Sequence, residues 1–489
     1  MKILFVTSEM SPFAKTGGLG ETVSALASAV CGKGHEVSVF MPRYRCIDIQ
    51  KWGLEIEINY FEVIIGNTLE ATRVFSKKLD DGVKVYFIEH PDYFQRDDLY
   101  GTPVGDYQDN DRRFTYFQRA TLKAIEYLKL RPEVIHCHDW QTGLIPVYLK
   151  AVETKYAPFR KAKSILTVHD FGFQGNFPPD SFPSTGLGWE YYKSDLLEFY
   201  SKFSFLKGGL VFADEVVTVS EHYSREVQTK EFGSGMEGVL AARKDTVTGI
   251  LNGLDVDAWD PSKDRDIESR YSMTTLSKRR ANKTLIQKEH GFAVDHEVPL
   301  IGLVSYLSTQ KGLDILIPAF EMFADMNIQV VLLGTGEELY HQVLRDLAKR
   351  NKAWLGVHIL FDLKMARQFY AGCDMMFFPS HHEPSSLGHL IACRYGAIPV
   401  AHATGCLADA IQPFDLTTGT GNGFLFEKDT TESLVDAVKR AVSVFKKEKL
   451  WKALVKNAMG MDFSWSATAE QYIQLYETVK RRTVKVAKV

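Results

Sequence analysis

Short apolar runs alternate with stretches of helical period, and they do so in two successive series along the chain. The first series places apolar runs at Lys2–Thr7, Glu36–Met41, Lys84–Glu89, Val134–His138, Ser164–His169 and Glu215–Ser220. Between them lie segments such as Arg113–Leu130, where apolar residues return every three or four positions, as on one face of a helix. Alternation of this kind admits few folds. A strand that is followed by a helix and then by another strand builds a parallel sheet with helices on both faces. Leu54–Glu89 breaks the pattern with several alternating runs in a row and reads as a strand ribbon.

The second series begins around Asp245–Leu251. Leu300–Ser305, Gln329–Leu333, His358–Phe361, Met375–Pro379 and Ile398–Ala401 read as strands. Asp314–Met326, Glu338–Arg350, Lys364–Tyr370, Gly388–Tyr395, Thr431–Phe445 and Lys447–Ala458 read as helices. A last helix, Ala467–Lys480, precedes a basic tail, Arg481–Lys488, which reads as a solvated end. Two series of similar size predict an α/β protein of two doubly wound domains, residues 1–245 and 246–465. In such sheets ligands sit at the carboxyl ends of the strands, and two sets of ends can wall one central cleft.

The bulk properties narrow the function. The 489 residues are 45% hydrophobic and 24% charged, ordinary values for a soluble globular chain. The net charge of −3, from 58 basic and 61 acidic residues, argues against a general nucleic-acid binder, so any anion site must be local. No run approaches the ~18 to 20 apolar residues that span a membrane. The first apolar run, Ile3–Val6, is too short for the core of a signal peptide. The six cysteines are scattered without a Cys-x-x-Cys spacing, which suits reduced thiols in a cytoplasmic protein better than a disulfide frame or a zinc site.

Several polar clusters follow directly on the strands. Lys15-Thr16-Gly17-Gly18-Leu19-Gly20-Glu21 lies between the first strand and a helix-like stretch from Val23 to Val30. Glycines there let backbone N–H groups approach an anion, and the helix N-terminus adds positive partial charge. The spacing does not meet the dinucleotide-binding pattern. His136-Cys137-His138-Asp139-Trp140 ends another strand; its two histidines share a strand face, but no third metal ligand is evident. His169-Asp170 ends the next. In the second series, Ser308-Thr309-Gln310-Lys311-Gly312, Gly334-Thr335-Gly336-Glu337 and His382-Glu383-Pro384-Ser385-Ser386-Leu387-Gly388 all fall between a strand and a helix. An ammonium at a helix N-terminus opposes the helix dipole, so Lys311 makes best sense beside an anion. One lysine-bearing glycine turn in each half points to a diphosphate ligand.

These stretches, in order, resemble the bacterial glycogen synthases and plant starch synthases. The resemblance covers nearly the whole chain. It rests on Lys15–Gly20, His136–Leu144, Thr167–Phe177, Phe203–Ser220, Gly233–Leu240, Ile250–Trp259, Ser308–Leu313 and Gly421–Phe426. It implies a GT-B fold of two Rossmann-like domains, with the helix near 467–480 crossing back to the first. It implies transfer of glucose from a nucleotide-glucose, ADP-glucose or UDP-glucose, to the nonreducing 4-OH of an α-1,4-glucan, with retention of configuration. No metal or other cofactor and no nucleic-acid or membrane partner is expected. By the same resemblance, Lys15, Gly17 and Gly18 contact the donor and Lys311 neutralises the departing phosphates. Glu383 lies near the donor glucose, and Ser386 and Leu387 offer backbone donors to a phosphate. His169 lies beside the transferred sugar, Asp139 is the acidic residue at the catalytic floor, and Phe361 stacks on adenine. Gly334 and Thr335 join the donor-binding set from the residues themselves, as a strand-to-helix turn of phosphate-cradle type.

The departures cluster at that donor site. Tyr306 stands where the family carries an arginine paired with the lysine on the diphosphate. Ser385-Ser386 replaces Cys-Gly, Cys406 replaces a glycine, Glu21 replaces an aspartate, and Phe94 replaces a tyrosine. Three functions fit this pattern: an α-glucan synthase with weakened turnover, a glycosyltransferase with an altered donor, or a non-catalytic binding relative.

Overall fold

The computed structural model describes residues 1–151, 159 and 161–482; the basic tail beyond Arg482 lies outside them. The chain divides into two compact units. The first comprises Met1–Val219, Ser224–Gly253 and the segment from Trp465 onward; the second comprises Ser220–Tyr223 and Leu254–Ser464.

The strands of the two large sheets are numbered here in chain order. The first unit holds β1 (Lys2–Val6), β2 (Glu36–Pro42), β3 (Glu55–Ile65), β4 (Thr68–Lys78), β5 (Lys84–Glu89), β6 (Val134–His138), β7 (Lys163–Val168), β8 (Glu215–Thr218) and β9 (Val247–Gly249). They form one nine-stranded sheet in the order β9-β8-β7-β6-β1-β2-β5-β4-β3. All neighbours are parallel except β3, β4 and β5, which run antiparallel as a ribbon on one edge. The continuous apolar runs in the sequence are the interior strands. Every residue of β6, β7 and β8 is buried, because helices cover both faces. The edge ribbon alternates instead, with one face wet, so Tyr60 and Leu69 stay exposed.

Val247–Gly249 opens the second series in the sequence, but it pairs in parallel with β8, so the first unit runs on to Gly253. A three-residue strand offers too little pattern to assign it to one sheet or the other. The helix Trp465–Arg481 packs against the helix Gly18–Gly32 of the first unit. Its Tyr476 hydroxyl meets His136 Nδ1 at 2.8 Å, and Thr468 Oγ1 donates to the Leu251 carbonyl at 3.1 Å.

The second unit holds β10 (Leu300–Val304), β11 (Gln329–Gly334), β12 (Leu355–Ile359), β13 (Met375–Phe378), β14 (Ile398–His402) and β15 (Phe424–Phe426). All are parallel, in the order β12-β11-β10-β13-β14-β15. This is the doubly wound 3-2-1-4-5-6 order, with its switch point between β10 and β13. The equivalent point of the first sheet lies between β1 and β6. One strand is shifted from its sequence expectation: β12 covers Leu355–Ile359, not His358–Phe361. The apolar run Ile359-Leu360-Phe361 leads the eye too far. Asp362 accepts the N–H of Met365 and caps the next helix, so the chain has already left the sheet at Phe361.

Candidate active site

In the second unit the loops that follow β10 and β13 enclose a cleft of about 300 Å³. Lys311, Glu383, Tyr306, Tyr370, Ser386 and Gly388 contribute to its lining. Lys311 ends a one-turn 3-10 helix, and Gly312 follows with φ of +74°. A Cβ on Gly312 would fall 2.0 Å from the Pro379 carbonyl oxygen, so only glycine lets the lysine turn lie against the end of β13.

The anion that answers Lys311 is the protein's own. Its Nζ lies 2.7 Å from both carboxylate oxygens of Glu383. Glu383 is 4% exposed and takes a further hydrogen bond from Ser380 Oγ at 2.8 Å. Ser380 is itself fixed, its carbonyl 2.8 Å from His402 Nδ1. The Glu383 carbonyl accepts the Cys406 N–H at 3.0 Å. Gly405, at φ +45°, would place a Cβ 2.0 Å from that same carbonyl. The carboxylate is therefore gripped from side chain and backbone, and it leaves Lys311 partly open to the cleft.

The altered positions differ in what they do. Tyr306 is 58% exposed on the rim, and among the lining residues Lys311 alone carries positive charge. Among the described lining residues no other basic side chain stands in for the missing arginine. Ser386 keeps ordinary backbone geometry, so no left-handed glycine conformation is lost, and its Oγ accepts the Gly388 N–H at 3.3 Å. Cys406, counted from the sequence among the changes at the donor site, has a buried side chain. It lies in the helix Gly405–Ala410 at 1% exposure, directly after the left-handed Gly405. Phe361 is 86% exposed in the turn beyond β12.

The glycine turn after β11 has a packing role. Cβ atoms on Gly334 and Gly336 would clash with the carbonyls of Ser305 and Leu307. The Gly336 N–H donates to His341 Nε2 at 3.1 Å and the Glu337 N–H to the Leu307 carbonyl at 2.8 Å. These two amides are spent within the protein, and the turn clasps the Tyr306 loop.

In the first unit the loop after β1 is organised by Glu9, which the sequence reading did not single out. This buried carboxylate accepts the Thr16 N–H at 2.7 Å, the Thr16 hydroxyl at 2.8 Å and the Tyr100 hydroxyl at 2.7 Å. Its signal was its place, three residues past the end of a buried strand. Gly20 is demanded by packing, since a Cβ there would lie 2.8 Å from the Lys15 Cβ. Gly17 and Gly18 have nothing within 4 Å of such an atom, and they sit at the uncapped start of the helix Gly18–Gly32. Lys15 pairs with Glu21, both about half exposed.

At the ends of β6 and β7, His138 Nδ1 lies 3.2 Å from His169 Nε2, and Asp139 accepts the His169 N–H at 2.8 Å. Asp139 holds φ of +57° with extended ψ, a conformation that costs a non-glycine residue energy. Burial holds His136 down to about 3 and His169 to about 4, and it takes His138 well below the usual histidine range. Burial also pushes Asp139 up to about 7; the His169 N–H opposes the rise while Asp170 and Glu9 add to it. The histidines are thus neutral near pH 7, able to offer hydrogen bonds without charge. Phe94 is fully buried, edge-on to Tyr44 and beneath the Arg113 guanidinium, so its change is a core change. Among the described residues no group of three or more metal-ligating side chains comes together.

Two doubly wound units, each with charged and glycine-rich loops at its switch point, define a glycosyltransferase of the GT-B class. The family model described as starch synthase catalytic domain matches residues 2–242, and that for glycosyl transferases group 1 matches residues 286–459. The glycogen synthase of Geotalea uraniireducens is 41% identical, over 99% of this chain and 99% of that protein. The glycogen synthase of Moorella thermoacetica is 38% identical, over 100% and 99%. Among solved structures, the catalytic domain of starch synthase IV from Arabidopsis thaliana, bound to ADP and acarbose, is similar at a TM-score of 0.84 and 31% identity, covering 98% of this chain and 99% of that one. Sucrose-phosphate synthase from Thermosynechococcus elongatus shares the fold at a TM-score of 0.58 and 14% identity, with 98% of each chain covered. The chain belongs to the glycogen and starch synthase family.

Proposed function

We propose that this protein extends α-1,4-glucan by transferring glucose from ADP-glucose to the nonreducing end, with retention, and that its turnover is slow for the family. The observation that carries this reading is the Lys311–Glu383 pair, held at the switch point of the second sheet with Lys311 partly open to the cleft. As the bond between the glucose C1 and the diphosphate oxygen breaks, negative charge grows on the leaving group. Lys311 meets that charge, and the start of the helix Gly388–Tyr395, near Ser386 and Leu387, adds backbone donors. The acceptor 4-OH bonds to C1 from the face that the diphosphate leaves, and its proton passes to the released diphosphate. Positioning and electrostatics then carry the reaction without a covalent intermediate.

We assign Lys15, Gly17 and Gly18 to donor contacts. Gly17 and Gly18 suit this because the protein itself leaves the space beside them open. His169 and Asp139 are assigned to the transferred sugar, and Phe361, with its ring in solvent, to the base. The six cysteines are free thiols, which supports a reducing, cytoplasmic setting, and no described helix is long and apolar enough to cross a membrane.

A second reading, a non-catalytic glucan- or nucleotide-binding relative, is favoured by one observation: no second cation lines the cleft beside Tyr306. Release of ADP or UDP from each nucleotide-glucose, with glycogen present, decides between them. ADP release supports the synthase. UDP release alone replaces the donor. No release of either, with glycogen still bound, leaves the non-catalytic reading.

A further inference from the structure

Two residues before Glu383, the imidazole of His381 lies between two carboxylates. Its Nε2 is 2.7 Å from Asp314 Oδ1 and its Nδ1 is 2.5 Å from Asp429 Oδ2. Asp314 belongs to the helix Leu313–Phe323, which follows directly on the Lys311 turn. Asp429 lies beyond β15. The His381 backbone N–H donates to the Gln310 carbonyl at 3.0 Å, one residue before Lys311. The segment that carries Glu383 is thus tied to the segment that carries Lys311 at three places: the lysine–carboxylate pair, the Gln310 carbonyl and the His381 imidazole.

Both ring nitrogens of His381 face an acceptor that has no proton to give. A neutral imidazole has one N–H and must turn a lone pair toward the other carboxylate. The two bonds can exist together only on the imidazolium.

We propose that His381, as an imidazolium, is the positioning residue that holds the Glu383 segment against the Lys311 turn, so that glucosyl transfer weakens on the alkaline side as this ring loses its proton.

Asp314 and Asp429 are the charged groups that act on the ring, and both favour its protonated form. Burial opposes them, but the ring is a quarter exposed and its pKa is raised above the ordinary value of 6.5. The sign follows. A raised histidine contributes fully below pH 6.5, and its contribution is lost as pH rises through its folded midpoint.

This inference rests on the synthase reading, and its test separates the two. The His381 imidazole is titrated by NMR in the whole protein, and initial rates with ADP-glucose and glycogen are followed from pH 6 to 9. The expected midpoint lies above 6.5, and the wild-type rate falls by about tenfold through it, the factor that one lost charge-assisted hydrogen bond carries. His381→Arg, charged throughout, should keep its rate across the same range. Asp429→Asn, an exposed change that leaves the fold alone, should move the midpoint and the alkaline fall together to lower pH. A midpoint at or below 6.5, or an alkaline fall that neither variant moves, overturns the proposal. If no nucleotide is released at any pH, the synthase reading fails by itself. ADP affinity, measured over the same pH range in wild type and both variants, then reads the clamp without chemistry. An affinity that falls in step with the His381 titration supports it, and one that ignores the titration overturns it.

Discussion

The ammonium of Lys311 sits equidistant, at 2.7 Å, from the two carboxylate oxygens of Glu383. The pair ties two loops together and, in the proposed reaction, also meets the leaving group; variants separate the two roles. Lys311→Ala leaves a nearly buried carboxylate without its cation, which costs about 3 kcal/mol of stability. It also removes the charge that meets the leaving group, for a loss of at least about a hundredfold in rate. In Lys311→Ala/Glu383→Gln the stranded charge is gone, so chemical unfolding should show most of the stability restored while turnover stays low. A double variant as unstable as the single one would mean that the cost is packing, not charge.

Tyr306 tests the weakened-site reading from the other side. It is exposed on the rim of a cleft in which Lys311 is the one cation among the described lining residues. Tyr306→Arg adds a charge there with room to extend. The rate with ADP-glucose and glycogen should rise by at least about tenfold, equivalent to ~1.4 kcal/mol of leaving-group stabilisation. A fast wild type that gains nothing from the arginine would show that Lys311 suffices.

His389 is completely buried, and neither of its ring nitrogens has a hydrogen-bond partner among the described residues. Burial holds it down to about 3. A depressed histidine contributes stability above pH 6.5 and loses it as pH falls toward the folded value. His389→Leu should therefore be more stable than wild type by about 1 kcal/mol at pH 7, since an unsatisfied polar group leaves the core. The gap should widen by about 2 kcal/mol at pH 5. Urea unfolding at the two pH values reads both numbers; equal acid losses in the two proteins would disprove the assignment.

Asp139 works in the opposite sense. Its carboxyl is pushed up to about 7, so its contribution to stability is complete below the ordinary 3.8 and is lost as pH rises through 7. Asp139→Asn keeps the acceptor for the His169 N–H without the charge. Its stability relative to wild type should climb between pH 4 and 7 and level off above. A gap that stays flat over that interval would place the Asp139 carboxyl in water.

The residues that carry the fold were easy to read, because a parallel strand covered on both faces must be apolar throughout, as β6, β7 and β8 are. Lys311 and Glu383 stood out too, as charges in the loops that follow such strands, and the structure pairs them. Three things were not. Glu9 holds the glycine turn through Thr16 and Tyr100, and Tyr100 is 91 residues away in the chain. Cys406 counted among the donor-site changes, yet its side chain is buried in the helix that follows the left-handed Gly405. In the Gly334–Glu337 turn, the amides of Gly336 and Glu337 answer His341 and Leu307. Each depends on tertiary packing that local sequence does not encode.

The seam between the helix Trp465–Arg481 and the helix Gly18–Gly32 constrains how the protein is made. His136, at the middle of the first sheet, finds its Tyr476 partner 340 residues later. On the ribosome, the first unit therefore emerges early with one flank bare and must wait, through synthesis of the entire second unit, for the segment that seals it. The second unit has no such dependence and can consolidate while the first is still open. The order of birth and the order of completion are reversed. A chaperone that shields newborn apolar surface would find its longest-lived target on the unit translated first.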